Sequence, residues 1–166
     1  MQFIEIHKDH YSRIASIYQE GLDSGIATFE TKVPTYNEWD AKYLKFGRIA
    51  LQKNETIMGW ASLAPVSSRE VYKGVAEVSV YLTAKARGCG LGKILLNQLI
   101  EVSESNGIWT LQSSVFKANK ASIALHHSCG FRTVGFKEKV AQRNGVWHDN
   151  ILLERRSKKV NYPKDF

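Results

Sequence analysis

The chain has 166 residues, 43% of them hydrophobic, which is enough for one ordinary domain with a full core. No apolar run approaches the roughly 18 residues of a membrane span, and the N-terminus lacks the pattern of a signal peptide, so we expect no membrane partner. The net charge of +7 is compatible with nucleic-acid binding, but no zinc-finger spacing or RNP-like aromatic motif is present, so we expect no nucleic-acid partner.

Hydrophobic periodicity predicts seven strands and four helices. In chain order they are a strand at 3–7, a helix at 10–20, a helix beginning near 35, strands at 48–53, 56–64 and 76–83, a helix at 90–105, a strand at 110–116, a helix at 119–130, and strands at 131–140 and 146–153. This order, βα(α)βββαβαββ, predicts a mixed α/β domain. A doubly wound fold is the second choice because it needs a more regular βα alternation.

Local sequence signals place several boundaries. Thr35 with Glu38 three residues later forms a capping box, and Asn119 caps the helix that follows it. Asn54-Glu55 joins two strands in a hairpin. The buried stripe of the long helix is predicted to consist of Leu91, Ile94, Leu95 and Leu99.

Residues 87–93, with the sequence RGCGLGK, lie between a predicted strand and a helix. Gly88, Gly90 and Gly92 leave the backbone bare where the first N–H groups of a helix lack partners and the helix dipole is positive. Arg87 and Lys93 add formal charge, so the stretch predicts a pyrophosphate site. Its spacing fits neither the G-x-G-x-x-G nor the P-loop motif. A turn that only reverses the chain is the structural alternative.

Arg87, Gly90 and Gly92 resemble motif A of the GCN5-related N-acetyltransferases, [Q/R]-x-x-G-x-[G/A]. Further segments resemble one branch, the phosphinothricin and methionine sulfone or sulfoximine N-acetyltransferases. They are residues 26–30, 34–39, 69–72, 76–82, 119, 124–131 and 145–149. The resemblance implies a single acetyltransferase domain over 1–156, with a mostly antiparallel mixed sheet flanked by helices, and a short basic tail at 157–166.

The resemblance also implies partners and a location. It implies acetyl-CoA as co-substrate, no metal, and a homodimer. Cys89 and Cys129 form no disulfide framework, which is typical of a cytoplasmic protein. The basic run at 155–159 is expected to be a solvated C-terminus.

Acetyl transfer to an amine requires a base. Glu77 shares a strand face with Ser79 and Tyr81 and is the first candidate, because a carboxylate there can take a proton directly or through water. Its structural alternative is an ion pair with Arg69 or Lys73. His148, in the Trp-His-Asp segment, is the second candidate, with a hydrogen-bonded strand histidine as the alternative.

For the cofactor, the resemblance implies that backbone N–H groups of Val80 to Leu82 polarise the thioester carbonyl. It also implies that the pantetheine lies between that strand and the strand at 110–116, and that the glycine loop holds the pyrophosphate. Asn119 contacts the pantetheine amides or serves as a helix cap alone. The cofactor residues are Val80, Tyr81, Leu82, Arg87, Gly88, Cys89, Gly90, Leu91, Gly92, Lys93 and Asn119. His126 stands where many relatives carry the Tyr that protonates the thiolate, and the resemblance leaves its role open.

The implied acceptor is the α-amine of a small amino acid or analogue, such as phosphinothricin or methionine sulfone. Phe29 would form a wall of its pocket, and Arg69 would bind its carboxylate bidentately; ordinary core packing and a free surface arginine are the alternatives. The substrate residues are Phe29, Ser67, Ser68, Arg69, Glu77, Val78 and Ser79. The alternatives for function are an acetyltransferase for a protein N-terminus or other amine, and a CoA-binding module without catalysis.

Overall fold

The structure, a computed structural model, describes residues 1–161. Its strands are β1 (Gln2–Glu5), β2 (Ile49–Lys53), β3 (Thr56–Pro65), β4 (Val75–Leu82), β5 (Thr110–Phe116), β6 (Arg132–Arg143) and β7 (Val146–Arg156). Its helices are α1 (Tyr11–Asp23), α2 (Tyr36–Lys42), α3 (Leu91–Ser105) and α4 (Lys120–Ser128). These are the predicted elements in the predicted order.

The strands form one mixed sheet in the order β1-β2-β3-β4-β5-β7-β6. Only the β4–β5 pair is parallel, and the other five pairs are antiparallel. The predicted fold class, a mostly antiparallel mixed sheet flanked by helices, is therefore confirmed. The last hairpin is longer than its hydrophobic pattern indicates, because β6 extends to Arg143 and β7 to Arg156.

The predicted turns and caps have the expected geometry. Glu38 N donates to Thr35 Oγ1 at 3.3 Å, and Thr35 N donates to Glu38 Oε2 at 2.6 Å, which completes the capping box. Asn54 and Glu55 have φ values of 48° and 61°, so both central residues of this two-residue hairpin are left-handed. Short-range chemistry alone fixes these boundaries.

The two faces of the sheet pack differently. One face packs aliphatic side chains against α3 and α4, and the other packs an aromatic cluster, which includes Trp39 and Trp60, under α1 and α2. The predicted stripe of α3 is wrong at Ile94, which is 39% exposed, whereas Leu96 and Ile100 are buried. The position of the sheet decides which side of α3 is buried. Hydrophobic periodicity alone therefore predicted a buried stripe that includes Ile94 and misses Leu96 and Ile100.

Strands β4 and β5 separate after a short paired stretch. Their register runs only from Val75 opposite Thr110 to Glu77 opposite Gln112. Beyond it, β4 continues beside β3 to Leu82, and β5 continues beside β7 to Phe116. The sheet therefore opens between residues 78–82 and residues 113–116.

The basic run at 155–159 is exposed at Arg156, Lys158 and Lys159, as expected, whereas Arg155 and Ser157 are half-buried. Arg155 lies on β7, and its Nη1 donates to Glu104 Oε1 at 2.9 Å. Ser157 Oγ donates to the same carboxylate, and Lys159 Nζ lies 3.5 Å from it. The largely buried carboxylate of Glu104 thus accepts two hydrogen bonds and forms an ion pair with Lys159. Residues 162–166 of the predicted tail lie outside the described residues.

None of the helices formed by residues 1–161 combines the length and the hydrophobicity that a membrane crossing requires.

Candidate active site

A cavity of about 360 Å³ lies where β4 and β5 separate. Its walls come from the loop after α1, from β4 and β5, from the last hairpin and from the first turns of α4. Because the opening passes between two strands of the sheet, the cavity connects the α4 face with the face covered by α1 and α2. Two reactants can thus approach the same point from opposite faces.

Glu77 stands at the fork of the two strands. It is the last residue of β4 in register with β5, it is exposed, and it lines the cavity. Within residues 1–161 its carboxylate makes no ion pair or hydrogen bond. Lys73 pairs instead with Glu70 at 3.0 Å, and the Arg69 guanidinium lies over the Tyr72 ring. The structural alternative for Glu77, an ion pair with Arg69 or Lys73, is therefore absent.

Ser79 and Tyr81 follow Glu77 on the same face of β4 and line the cavity. Tyr43 donates its hydroxyl to Ser79 Oγ at 3.1 Å, and Tyr81 stacks on Trp60 with ring centroids 4.9 Å apart. Burial raises the pKa of Tyr43 and of Tyr81, so both hydroxyls stay protonated. The aromatic cluster thus packs against this wall of the cavity and contributes only neutral hydroxyl groups to it.

The loop after α1 covers the cavity and carries Phe29. The Phe29 ring lies 4.3 Å from the Phe116 ring. Asn119 Nδ2 donates to Ile26 O in this loop at 3.3 Å, and Arg143 Nη2 donates to Leu22 O in the last turn of α1 at 2.8 Å. Phe29 therefore lies at the cavity as the sequence predicts, in a loop that Asn119 holds and that begins at an anchored helix end.

The glycine loop presents open backbone at the start of α3. Gly88 and Gly90 have φ values of 73° and 78°, and a Cβ added to either would meet no atom within 4 Å. Gly90 is the N-cap of α3 and supplies no side chain to its free N–H groups. Gly92 is different, because its added Cβ would lie 3.2 Å from both Leu125 and Leu82. Bare N–H groups, open space and two flanking cations fit a pyrophosphate.

Asn119 has two contacts. Its Oδ1 accepts from Ser122 N at 3.1 Å, which confirms the predicted cap of α4, and its Nδ2 holds the loop at Ile26. It also lines the cavity. The side chain thus links the α4 side of the cavity to the loop that carries Phe29.

His126 is 3% exposed and lines the cavity. Its Nδ1 lies 2.7 Å from the Ser122 carbonyl oxygen, so Nδ1 carries the proton and donates it there. Burial lowers the pKa of this imidazole, which favours the neutral ring. Neutral His126 therefore has no proton on Nε2, and it is suited to accept a hydrogen bond instead of protonating a thiolate.

Four of the predicted catalytic and substrate residues lie outside this cavity, as do Leu82 and residues 87–93 of the predicted cofactor set. His148 lines a second cavity of about 450 Å³ with Trp147 and three lysines, while its ring contacts Phe116 at 4.8 Å. Ser67, Ser68 and Arg69 lie in the β3–β4 connection and do not line the cavity. The structure thus brings Glu77 to the opening of the sheet and leaves His148 behind an aromatic ring.

Other polar residues at the cavity were not predicted. They are Thr28, Glu30, Lys42, Ser113, Ser114, Ser122, Lys137 and Asn150. Only the pairing register of the last three strands brings Ser114, Lys137 and Asn150 together, and no local motif marks them. Within residues 1–161 no group of three or more His, Cys, Asp or Glu side chains could hold a metal.

Residues 13–131 match the model of the acetyltransferase (GNAT) family, which covers more than half of the chain. The chain belongs to the acetyltransferase (GNAT) family. It is 37% identical to the L-methionine sulfoximine/L-methionine sulfone acetyltransferase of Pseudomonas aeruginosa, over 85% of this chain and 86% of the relative. It is 30% identical to the phosphinothricin N-acetyltransferase of Alcaligenes faecalis, over 90% and 79%. The predicted family and its branch are confirmed, and the chain is an N-acetyltransferase.

Solved structures agree with the fold. A phosphinothricin acetyltransferase from Sinorhizobium meliloti in complex with acetyl-CoA superposes with a TM-score of 0.87 at 24% identity, over 99% of this chain and 93% of that one. A ribosomal-protein-alanine N-acetyltransferase from Brucella melitensis superposes with a TM-score of 0.86 at 25% identity, over 95% and 100%. One fold thus serves relatives named for small and for macromolecular acceptors.

Proposed function

We propose that this N-acetyltransferase transfers the acetyl group of acetyl-CoA to the α-amine of a small amino acid or analogue. Methionine sulfone, methionine sulfoximine and phosphinothricin are the first acceptors to test, because two relatives at 30% and 37% identity are named for them. The observation that carries the proposal is Glu77, an unpaired carboxylate at the fork of β4 and β5, facing the cavity.

Glu77 acts as the base in this proposal. An amine must lose its proton before it attacks, and the carboxylate accepts that proton directly or through water. Phe29 and Ser79 hold the acceptor next to it, and the covering loop limits access of water. His148 is the less favoured base, because it lines a different cavity.

The chain's own groups fit acetyl-CoA, which supplies an acetyl group activated as a thioester. The edge of β4 over residues 78–82 lacks a strand partner on the β5 side, so its N–H groups are available to the carbonyl. The N–H groups at the start of α3, with Arg87 and Lys93 beside them, would hold the pyrophosphate. His126 and Asn119 lie on the α4 side of the same cavity.

An acceptor panel tests the proposal. The enzyme is mixed with acetyl-CoA and each amine, and thiol release is followed with a chromogenic reagent. We expect turnover with the amino acid analogues and little with an alanine-initiated peptide. Turnover with the peptide alone would favour the protein N-terminus alternative. Binding of acetyl-CoA without release of thiol from any amine would favour the non-catalytic alternative.

A cytoplasmic homodimer remains part of the proposal. Several large apolar side chains of the last hairpin are exposed, and β6 is an edge strand of the sheet, both of which support self-association there. They are Val134, Phe136, Val140, Val146 and Trp147. Light scattering at micromolar concentration should give the dimer mass, and a monomer mass would count against it.

A further inference from the structure

Three polar side chains from three adjacent strands meet at the cavity. Lys137 of β6 lies directly opposite Asn150 of β7, and Asn150 lies directly opposite Phe116 of β5. Residues in direct register share a face of the sheet, and Ser114 is two residues from Phe116 and so is on that face as well. Lys137, Ser114 and Asn150 all line the cavity.

One polar atom of these three side chains, Asn150 Oδ1, lacks a hydrogen-bond partner among the described residues. Asn150 is 4% exposed, and its Nδ2 donates to Ser114 Oγ at 2.9 Å. Its Oδ1 is buried and has no partner among the described residues, which is unfavourable for a buried acceptor. Ser114 Oγ already accepts a hydrogen bond, so its own hydrogen is free to be donated.

Lys137 adds a charge without a counter-ion. Within residues 1–161 no carboxylate lies within ion-pair distance of its ammonium group. Lys42 also lines the cavity, but its ammonium group lies over the Tyr43 ring, 5.4 Å from the centroid. Lys137 is therefore the unpaired cation that the register places beside the buried Asn150. The group offers two donors and one acceptor to a ligand.

We propose that Lys137, Ser114 and Asn150 recognise the α-amino acid end of the acceptor. The Lys137 ammonium group and the Ser114 hydroxyl donate to the carboxylate, and Asn150 Oδ1 accepts an N–H of the amino group that faces Glu77. This rests on the proposed function and narrows it to free α-amino acids. A peptide N-terminus carries a neutral amide where the carboxylate is needed. It also assigns carboxylate recognition to Lys137 and Ser114, at the cavity, in place of Arg69, which lies outside it.

Two acceptors separate the role of the carboxylate from that of the amine. L-methionine sulfone and its carboxamide share the amine and the side chain and differ in the charge of the carboxyl end. For Lys137→Met we expect KM for the amino acid to rise by about tenfold or more, the usual size of a hydrogen bond to a charged group. We expect KM for the carboxamide to stay within about twofold. Ser114→Ala should show the same selectivity with a smaller rise.

Lys53→Met is the matched control, because it removes one positive charge from an exposed lysine at the end of β2. It should leave both KM values unchanged. Melting curves check that each variant is folded. An equal rise of KM for both acceptors, or no rise for either, would overturn the proposed subsite.

A binding measurement keeps this result separate from catalysis. Calorimetric titration of L-methionine sulfone into the enzyme with bound CoA should give a Kd that rises in Lys137→Met and not in Lys53→Met. If the wild-type enzyme acetylates neither acceptor, the proposed reaction fails, and the titration then decides the subsite alone. Binding that depends on Lys137 would support it, and binding that does not would overturn it.

Discussion

Strand β4 has two halves with different surroundings. Residues 75–77 are paired with β5, and Ala76 and Glu77 also with β3, whereas residues 78–82 are paired only with β3. In the first half Ala76 is fully buried between two strands, and in the second half most residues line the cavity. Complete pairing makes the first half part of the core. Incomplete pairing leaves the second half with backbone and side-chain groups free for ligands.

The largest expected effect is at the boundary between the halves. Glu77→Gln preserves the shape and hydrogen-bonding capacity of the side chain but removes the base. We expect turnover to fall about 10²–10⁴-fold, with partial recovery at high pH, where more of the acceptor amine is already deprotonated. Steady-state assays across about pH 6–9 measure this, and binding of acetyl-CoA and the melting temperature should not change.

The matched variant is His148→Ala. Near-normal turnover of Glu77→Gln across that pH range, beside an inactive His148→Ala, would move the base to His148. A lower melting temperature together with weak cofactor binding in Glu77→Gln would instead indicate a structural role for the carboxylate.

A change in the paired half should affect stability and leave the chemistry intact. Leu111 lies opposite Ala76 on β5, is 2% exposed and belongs to the aliphatic core. Leu111→Ala should lower the free energy of unfolding by about 2–5 kcal/mol, since it removes buried methyl groups and leaves a cavity. Urea unfolding measures it. Loss of activity in fully folded Leu111→Ala would show that the two halves are not separable in this way.

The fold was largely predictable because its boundaries depend on local chemistry. Thr35 with Glu38, Asn54-Glu55 and Asn119 each act through neighbours a few residues away, and each has the predicted geometry. The face of α3 was less predictable, as Ile94 shows, because the sheet decides which side is buried. Local signals predict where elements start and stop, and long-range packing decides how they are oriented.

The site was predictable only in part, for the same reason. Strand alternation and motifs in the sequence point to Glu77, Phe29 and Asn119, and all three lie at the cavity. Ser114 and Asn150 could not be found, since only the β5–β7 register brings them together. The separation of β4 and β5 also has no local signature, and it decides that Glu77 faces an opening whereas His148 does not.

Binding of acetyl-CoA beside the second half of β4 should stabilise the folded protein. Acetyl-CoA at about 100 times its Kd should stabilise the protein by roughly 2.7 kcal/mol, and Gly90→Asp should abolish this shift by placing bulk and negative charge at the pyrophosphate site. Gly107→Asp is the matched control, because Gly107 has the same φ of 78° and equally open space at the other end of α3. Thermal melts measure both. A shift retained in Gly90→Asp, or an equal shift with NAD, would contradict the cofactor assignment.

The smallest expected effect concerns the turn that follows the second half of β4. Beyond Leu82 the carboxylate of Glu20, on α1, accepts hydrogen bonds from the Thr83 hydroxyl at 2.8 Å and from Ala84 N at 2.6 Å. Burial opposes ionisation of Glu20, but the hydrogen bonds from Ala84 and Thr83, with Arg13 and Arg87 nearby, lower its pKa overall. The charged side chain thus caps the turn that leads into the glycine loop.

Glu20→Gln should therefore lower the free energy of unfolding by about 1 kcal/mol at neutral pH, the usual cost of a lost cap. Because the pKa of Glu20 is lower in the folded than in the unfolded protein, its contribution is complete above the unfolded pKa of about 4.3 and is lost as the pH falls through the folded value. The difference between the variant and the wild type should accordingly shrink in acid, while Glu101→Gln, at an exposed glutamate of α3, should show no difference at any pH. Urea unfolding at neutral and acidic pH measures both. A deficit in Glu20→Gln that persists unchanged in acid would mean that shape, and not the charge of the carboxylate, holds the end of β4.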